Sequence, residues 1–294
     1  MPQPLVDEPL VESAPLAHRL ARELCRKDPA TGEDCAWYHG FWQYMRVMNI
    51  AKISGGHVDF LVEALRSAAR AGRFARVLVS GSADYSMSAH ALCAYRAEGA
   101  ALELEVIDLC ETPIALTRWY AERVGAPVTG YASDILGFES ARPYDVVVTN
   151  SFLGYFDLPS RTRLFERWAR LLRPGGKLII TNRIRPGVGY EPVGFTGDQA
   201  RVLRDTVRRE AERWREVFAF DPEEVAGWAD AYAARRRPVP VRSSAEVLEL
   251  LREHGFRVDC CDTATAAGRG EGGAVSGPTT AEAADYVRVV ATRD

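Results

Sequence analysis

Short apolar runs alternate with helical segments between residues 75 and 182, and this alternation limits the chain to one class of fold. The apolar runs are predicted as strands at 75–80, 102–109, 127–131, 144–150 and 177–182. Helical spacing and capping signals, such as Thr112 followed by Pro113, occupy the gaps between the first three strands and between the last two. Strands that are joined by helical crossovers pair in parallel, so the sequence predicts an α/β sheet with helices on both faces.

The alternation is interrupted at 183–242 and resumes with a helix whose capping box begins at Ser243. Two predicted strands follow, at 256–263 and 285–293, and a glycine-rich loop at 268–277 separates them. A parallel pair needs a longer crossover than this loop provides. We therefore expect the last two strands to be antiparallel neighbours.

Two regions outside the sheet pattern have helical periodicity. Residues 1–15 are rich in proline and are predicted to form a mobile leader, whereas residues 16–72 are predicted to be helical. Aromatic side chains occupy two adjacent stripes of the helix at 37–48, so this helix must be covered on more than one side. The interrupting segment 183–242 carries an amphipathic stripe of its own. Each region has two interpretations, as a packing element or as a cover for a ligand. The segment 183–242 has a further alternative as an oligomer interface.

The charge balance excludes one large class of partner. The chain has 37 Lys+Arg against 40 Asp+Glu, a formal net charge of −3. Broad binding to a nucleic-acid backbone requires a strongly basic surface, so nucleic acid is not an expected partner. The run Arg235-Arg236-Arg237 is predicted to lie on a solvated face. The first residues lack the pattern of a signal peptide and no apolar run is long enough to cross a membrane, so we expect a cytoplasmic protein without membrane attachment.

The cysteine spacing gives no indication of a metal site. The six cysteines are at positions 25, 35, 93, 110, 260 and 261, without a CxxC pair or a Cys/His cluster at zinc spacing. They are predicted to be free thiols, with no metal ligand among them. Cys260 and Cys261 are adjacent in a predicted strand, and we expect one of the two to face the core.

Three signals at the ends of strands indicate a nucleotide-type site. Gly81 follows the first strand and allows a tight bend, and the small Ser82 and Ala83 let the backbone approach a ligand. Asp108 ends the second strand, where an acidic residue accepts hydrogen bonds from ribose hydroxyls in doubly wound sheets. Asp134 follows the third strand. Taken singly, each has an ordinary alternative as a turn, a strand end or a solvated loop residue, but their occurrence in register is more specific.

The ordered series of motifs resembles the class I S-adenosylmethionine-dependent methyltransferases. The match consists of a glycine turn after the first strand, an acid ending the second, an Asp after the third, and Leu172-Arg173-Pro174-Gly175-Gly176 before the fifth. The resemblance implies a Rossmann-like seven-stranded sheet of order 3-2-1-4-5-7-6 with strand seven antiparallel. It also implies S-adenosylmethionine as the cofactor, bound across the carboxyl ends of strands one to four.

Residue roles follow from the resemblance by position. Gly81, Ser82 and Ala83 would line the methionine part, Asp108 would hold the ribose, and Asp134 with Ile135 would flank the adenine. The full set that the resemblance assigns to the cofactor is Gly81, Ser82, Ala83, Asp108, Leu109, Asp134, Ile135, Asn150 and Ser151. The chain is accordingly divided into a leader and helical lid (1–72), a cofactor-binding core (73–182), a helical insertion as substrate cap (183–242), and the end of the core (243–294).

The sequence departs from the family pattern in its first and fourth motifs. The family's first motif has an acid where this chain has Val79 and further glycines where it has Ala83 and Tyr85. The ring of Tyr85 is predicted to lie in the path of the cofactor. Asp84 is a candidate replacement for the missing charge. After strand four, only Asn150 remains of the Asn-Pro-Pro-Tyr motif that methylates amino groups, so a small-molecule acceptor is favoured.

The candidate catalytic residues are His39, Tyr155 and Asn150. His39 lies in the aromatic helix that could cover the site, and Tyr155 follows strand four, where family members contact the acceptor. Each histidine could equally be structural, and the weaker candidates are His57, His90, Tyr38 and Tyr190.

The function that the sequence favours is methyl transfer from S-adenosylmethionine to a small molecule, at oxygen rather than nitrogen, by a chain that could form a homodimer. The alternatives are a methyltransferase fold with changed chemistry, such as decarboxylation or cyclisation, and a non-catalytic interaction protein.

Overall fold

The computed structural model describes residues 6, 8–28, 31–51, 55–72, 74–267 and 283–294. Seven strands and nine α-helices lie within these ranges. The strands are β1 (Phe74–Ser80), β2 (Ala101–Asp108), β3 (Val128–Ala132), β4 (Tyr144–Asn150), β5 (Leu172–Ile184), β6 (Phe256–Ala267) and β7 (Ala283–Arg293). The helices are α1 (Leu10–Leu24), α2 (Ala36–Val47), α3 (Gly55–Ala71), α4 (Ser86–Ala97), α5 (Glu111–Arg123), α6 (Leu158–Leu171), α7 (Gly197–Phe218), α8 (Pro222–Arg235) and α9 (Ser244–Glu253).

The seven strands form one sheet in the order β3-β2-β1-β4-β5-β7-β6, which confirms the predicted topology. The pairs from β3 through β5 are parallel, whereas β7 is antiparallel to both β5 and β6. Strand order reverses between β1 and β4. β2 and β3 lie on the β1 side of this point, and β5, β7 and β6 lie on the β4 side. In doubly wound sheets, ligands bind beside this switch point, at the carboxyl ends of the strands.

Both faces of the central strands are buried, which explains their continuous apolar runs. Side chains alternate along β1, so Leu78 belongs to the cluster around Trp168 of α6, whereas Val77 and Val79 pack on the other face against α3 and α4. Trp168 is fully buried, and its Nε1 donates a hydrogen bond to the Ser80 hydroxyl at 3.0 Å. Helix α6 is thereby fixed beneath the carboxyl end of β1. Within the described residues, no helix has the length and apolarity that crossing a bilayer requires.

The predicted leader at 1–15 is wrong at its C-terminal end, because α1 begins at Leu10 and includes Pro15. Tertiary contacts outweigh the low helix propensity of proline here. Ser13 is fully buried and its hydroxyl donates to the Gln43 side chain of α2 at 2.8 Å. Helix α1 is thus part of the packed N-terminal helices.

The expectation that one of Cys260 and Cys261 faces the core is also wrong, since both are exposed. β6 is the outermost strand beside β7, and its pairing with β7 shifts register between Val258 and Cys260. A bulge changes the direction in which the side chains of a strand point. At this edge of the sheet, neither Cys260 nor Cys261 therefore reaches the core. The glycine-rich loop predicted at 268–277 lies outside the described residues.

The aromatic helix α2 and the insertion helices pack on each other. Phe41 and Tyr44 of α2 share a buried cluster with Val207 of α7 and with Val225 and Ala229 of α8. Trp228 of α8 lies 5.4 Å from the Tyr44 ring, centroid to centroid. Helices that precede β1 in the chain and helices that follow β5 therefore form one layer, which we call the helical cover (α1, α2, α7 and α8).

Candidate functional site

The carboxyl ends of β1, β2 and β3 are tied together by hydrogen bonds in their loops. Gly81 N–H donates to the Ile107 carbonyl at 2.9 Å, and Ser82 N–H donates to the Asp108 carboxylate at 3.0 Å. Ser133 N–H donates to the Asp108 carbonyl at 2.8 Å. The structure thus brings together the glycine bend, the acid of β2 and the loop that carries Asp134, as the sequence predicted for a nucleoside site.

Gly81 is required by its backbone conformation and by its surroundings. Its φ is +75°, in the left-handed region that only glycine adopts without cost. A Cβ at this position would lie 2.3 Å from Cδ2 of Phe152, whose ring covers the bend from the loop after β4. The ring of Phe152 therefore fills the space beside the bend.

We expect Gly81→Ala to destabilise the fold by about 1–2 kcal/mol from the left-handed backbone and by about 1–3 kcal/mol more from overpacking against Phe152. Gly99→Ala is the matched control, because Gly99 has φ +64° and an added Cβ there would meet no atom of the described residues within 4 Å. Urea denaturation of both variants measures the two contributions separately. Equal losses of stability in both variants would contradict the close contact of Phe152.

Asp108 is a half-buried carboxylate with hydrogen-bonding capacity to spare. Its Oδ2 accepts from Ser82 N–H and its Oδ1 accepts from Cys110 N–H at 2.9 Å. Burial raises the pKa of Asp108, while the charge of the nearby His39 and these two backbone donors act in the opposite direction. Each carboxylate oxygen has a second lone pair. The adjacent Leu109 side chain is 78% exposed, so an apolar surface borders the acid on the open side.

Asp84 does not replace the charge missing from the first motif. Its Oδ2 accepts hydrogen bonds from Trp42 Nε1 at 2.9 Å, Gln43 Nε2 at 2.7 Å and Arg46 at 2.9 Å, and its Oδ1 accepts from Ser86 N–H. The carboxylate is buried and its charge is neutralised by Arg46. Asp84 therefore anchors α2 to the glycine bend.

Tyr85 does not obstruct the cofactor's path, contrary to the prediction. Its ring is fully buried on the side of α1 and α5, where it stacks on Tyr120 with centroids 4.7 Å apart and planes 3° apart. Its hydroxyl lies 3.1 Å from the Ser13 hydroxyl of α1. A side chain at the start of a helix that follows a tight bend can point away from the bend and toward neighbouring helices. The sequence pattern does not reveal this direction.

The loop after β4 is held by β5 and by the end of the insertion. Ser151 has φ +52° and its N–H donates to the Thr181 carbonyl at 2.7 Å, while the Asn150 side chain accepts from the Thr181 hydroxyl at 2.5 Å. The buried guanidinium of Arg161 donates to the Leu153 carbonyl at 3.1 Å and to the Val239 carbonyl at 2.7 Å. The position of the exposed Tyr155 is fixed by this loop.

His39 lies beside Asp108, which the sequence could not establish. It is buried, and its Nδ1 makes no hydrogen bond to any of the described residues. Burial lowers the pKa of His39, but the Cys110 side chain, the Asp108 carboxylate and the Ala83 carbonyl act against burial and raise the pKa overall. His39 therefore lies near the carboxyl end of β2, beside Asp108.

A second set of polar groups lies next to Tyr155, and the sequence predicted only part of it. The Arg236 guanidinium lies 4.6 Å from the centroid of the Tyr155 ring. The rings of Tyr38 and Tyr232 are stacked at 6.2 Å. We call the set the arginine–tyrosine cluster; its members are Tyr38, Tyr155, Arg183, Arg185, Tyr232 and Arg236. Arg235 and Arg237 are exposed as predicted, but Arg236 between them is half-buried.

The cluster concentrates positive charge away from water. Burial and the guanidiniums of Arg183 and Arg236 lower the pKa of Arg185 to about 10. Burial also raises the pKa of Tyr38 and of Tyr232, so both phenols remain protonated. Among the described residues, three guanidiniums face one carboxylate, that of Asp285 near Arg183, so the region remains positively charged and, with its hydroxyl donors, favours an anionic ligand.

The remaining candidates lie apart from this cluster. His90 is buried on α4, where burial lowers its pKa, and its electrostatic neighbours are Glu8, Arg46 and Asp84. Tyr190 is exposed beneath the Arg242 guanidinium at 4.9 Å. Asp134 is exposed and its carboxylate accepts from Leu136 N–H, whereas Ile135 is buried under the same loop. The side chain of His57 lies outside the described residues.

Comparisons with known proteins agree with this fold. Residues 87–180, roughly a third of the chain, match the family model described as a methyltransferase domain. The match begins just after the glycine bend, where Val79 and Tyr85 depart from the family pattern. A search of curated proteins found no match.

Similar solved structures are methyltransferases. The N-methyltransferase NodS from Bradyrhizobium japonicum, in complex with S-adenosylhomocysteine, has 14% identity and a TM-score of 0.48, with 84% of this chain and 97% of that chain covered. The magnesium protoporphyrin IX methyltransferase from Synechocystis has 15% identity, a TM-score of 0.48, and coverage of 86% and 87%. At this identity the likeness concerns the fold.

The methyltransferase-domain match at residues 87–180 and the strand order agree with the predicted resemblance to the class I S-adenosylmethionine-dependent methyltransferases. The predicted resemblance is thereby confirmed. The roles of the individual residues remain predictions.

Proposed function

We propose that this enzyme transfers the methyl group of S-adenosylmethionine to an oxygen atom of a small anionic acceptor. The observation that carries the proposal is the pairing of two sites on neighbouring strand ends: the carboxylate of Asp108 tied to the glycine bend, and the arginine–tyrosine cluster beside the β4 loop.

The residues at the first site fit a nucleoside. Asp108 is an acceptor-only group with free lone pairs for ribose hydroxyls, and the exposed Leu109 offers an apolar face for a base. The bound cofactor supplies an electrophilic methyl group on a sulfonium. The chain's own contribution is to bind, to orient and to exclude water, and positioning alone can lower a barrier by up to about 7–11 kcal/mol.

The second site favours an oxygen nucleophile. Guanidiniums at Arg185 and Arg236 stabilise a phenolate or carboxylate, because opposite charge favours the ionised form of an acidic group. An amine acceptor gains no comparable stabilisation from these cations, and the β4 loop lacks the Pro-Pro-Tyr sequence that follows Asn in the motif that methylates amino groups. The phenols of Tyr38 and Tyr232 remain donors that orient the acceptor.

The helical cover is proposed to close over both sites. Helix α2 carries Tyr38 toward the arginine–tyrosine cluster and the adjacent His39 toward Asp108, and α8 of the insertion carries Tyr232 and precedes Arg236. The insertion thus acts as the substrate cap.

Methyl-labelled S-adenosylmethionine tests the reaction on matched acceptors. We expect label on the oxygen of hydroxybenzoates and a much lower rate with the corresponding neutral hydroxybenzamides. Cofactor consumption without label in the product, or label on the nitrogen of aminobenzoates in preference to oxygen, would contradict the proposal.

Removal of a cluster arginine should lower activity on an anionic acceptor. For Arg185→Gln we expect kcat/KM on an anionic acceptor to fall about 10- to 150-fold, which corresponds to the loss of about 1.5–3 kcal/mol from a charged hydrogen bond. The free energy of unfolding of the variant is measured alongside, so that a loss of activity is separated from a loss of stability. The control is Arg242→Gln, whose exposed side chain lies over Tyr190. Equal activity of both variants would exclude Arg185 from the acceptor site.

A further inference from the structure

Three cysteines from distant parts of the sequence meet at the edge of the helical cover. The sulfur atoms of Cys25, Cys35 and Cys110 all lie within 4.8 Å of one another, and the Cys25 and Cys110 sulfurs are 3.5 Å apart. With zinc–sulfur bonds of about 2.3 Å, the sulfurs of a tetrahedral site lie about 3.8 Å apart. The observed triangle therefore needs little adjustment to hold one ion.

Each of the three cysteines stands at the end of a helix. Cys25 is the C-terminal cap of α1, Cys35 the N-terminal cap of α2 and Cys110 the N-terminal cap of α5, where its sulfur accepts from Thr112 N–H at 3.4 Å. Unpaired N–H groups at helix N-termini stabilise thiolates.

A candidate fourth donor lies just outside the group of three sulfurs whose atoms are within 4.8 Å of one another. His39 follows Cys35 by four residues on α2, so the two lie on one face of the helix, and His39 interacts with the Cys110 side chain. Its Nδ1 is buried and has no hydrogen-bond partner in the described part of the chain, although a buried ring nitrogen ordinarily has one. Three thiolates and an imidazole form the Cys₃His donor set of structural zinc sites.

We propose that Cys25, Cys35 and Cys110 bind one zinc ion, with His39 as the fourth ligand after its side chain moves toward the three sulfurs. Binding replaces each coordinated thiol's proton by a zinc–sulfur bond, and the protons are released to the solvent. The ion would join the end of α1 and the start of α2 to the start of α5, two residues beyond Asp108. It would thus hold the helical cover on the core at the cofactor end.

Metal analysis of the purified chain, produced with zinc in the medium, tests this site. We expect one zinc per chain in the wild type and in Cys260→Ser, whose cysteine is exposed on β6. Cys110→Ser should lose the zinc, and serine keeps the capping capacity at this position, so the fold is retained. Circular dichroism verifies folding of each variant.

Cobalt spectroscopy identifies the ligands in the same variants. Replacement of zinc by Co²⁺ should give thiolate-to-cobalt charge-transfer absorption in the wild type, reduced intensity in Cys35→Ser and a shifted, weaker-binding spectrum in His39→Gln. Chelation should lower the melting temperature of the wild type and leave that of Cys110→Ser unchanged. Wild-type chain without zinc and without cobalt absorption, or a Cys25–Cys110 disulfide in its place, would overturn the proposal.

Discussion

Replacement of Asp84 by alanine should lower the free energy of unfolding by about 3–5 kcal/mol, the usual cost of breaking a buried ion pair. The Arg46 side chain is only 8% exposed and loses the more buried of its two counter-charges, while Glu8 remains at 2.7 Å. Trp42 Nε1 and the Gln43 amide lose their shared acceptor at the same time. Each buried donor left without a partner costs about 1–3 kcal/mol.

The matched control is Asp230→Ala. Asp230 pairs with Arg204 on the exposed faces of α8 and α7, where both side chains reach the solvent, so the expected loss is below about 1 kcal/mol. Denaturant titration of both variants gives the comparison. A loss for Asp84→Ala as small as that of the control would show that Asp84 does not anchor α2 to the glycine bend.

Asp108→Asn should weaken binding of S-adenosylhomocysteine by about 1–3 kcal/mol, which is roughly 5- to 150-fold in Kd. The carboxylate accepts from Ser82 N–H and Cys110 N–H through different oxygens, and an amide offers only one oxygen. Its NH₂ group would face one of these donors and could not accept from a ribose hydroxyl on that side.

Asp145→Asn controls for the loss of a carboxylate that accepts from the backbone. Asp145 accepts from Arg76 N–H at 2.8 Å near the amino ends of β1 and β4, at the opposite edge of the sheet. Calorimetric titration should show unchanged affinity for this variant. If both variants bind alike, Asp108 is not the ribose ligand.

The strand order could be predicted because its signals are local. Apolar runs, capping residues and glycine turns occupy fixed positions along the chain, and right-handed crossovers leave few arrangements of the strands. The bend at Gly81 and the acid at Asp108 were predicted for the same reason, since consecutive strand ends share one edge of the sheet.

The residues that the sequence did not identify depend on contacts between distant segments. Arg236 was grouped with its exposed neighbours, because a run of three arginines gives no sign that the middle one faces Tyr155. Cys25, Cys35 and Cys110 belong to three helix ends, so no spacing rule brings them together. The separation of Cys35 and His39 by one helical turn was the only local sign of the cluster.

Asp84 shows how one contact decides between two functional interpretations. Its position beside the glycine bend suggested a cofactor ligand, but the partners from α2 belong to a segment about forty residues earlier. Burial of a carboxylate requires compensating donors, and here the cover supplies them.

A structure of the chain crystallised with S-adenosylhomocysteine is the most direct test of where the cofactor binds. We expect the ribose hydroxyls to be hydrogen-bonded to the Asp108 carboxylate, with the homocysteine sulfur directed past the bend toward the ring of Phe152. A nucleoside bound elsewhere, or a saturated crystal in which Asp108 contacts no ribose, would contradict the account.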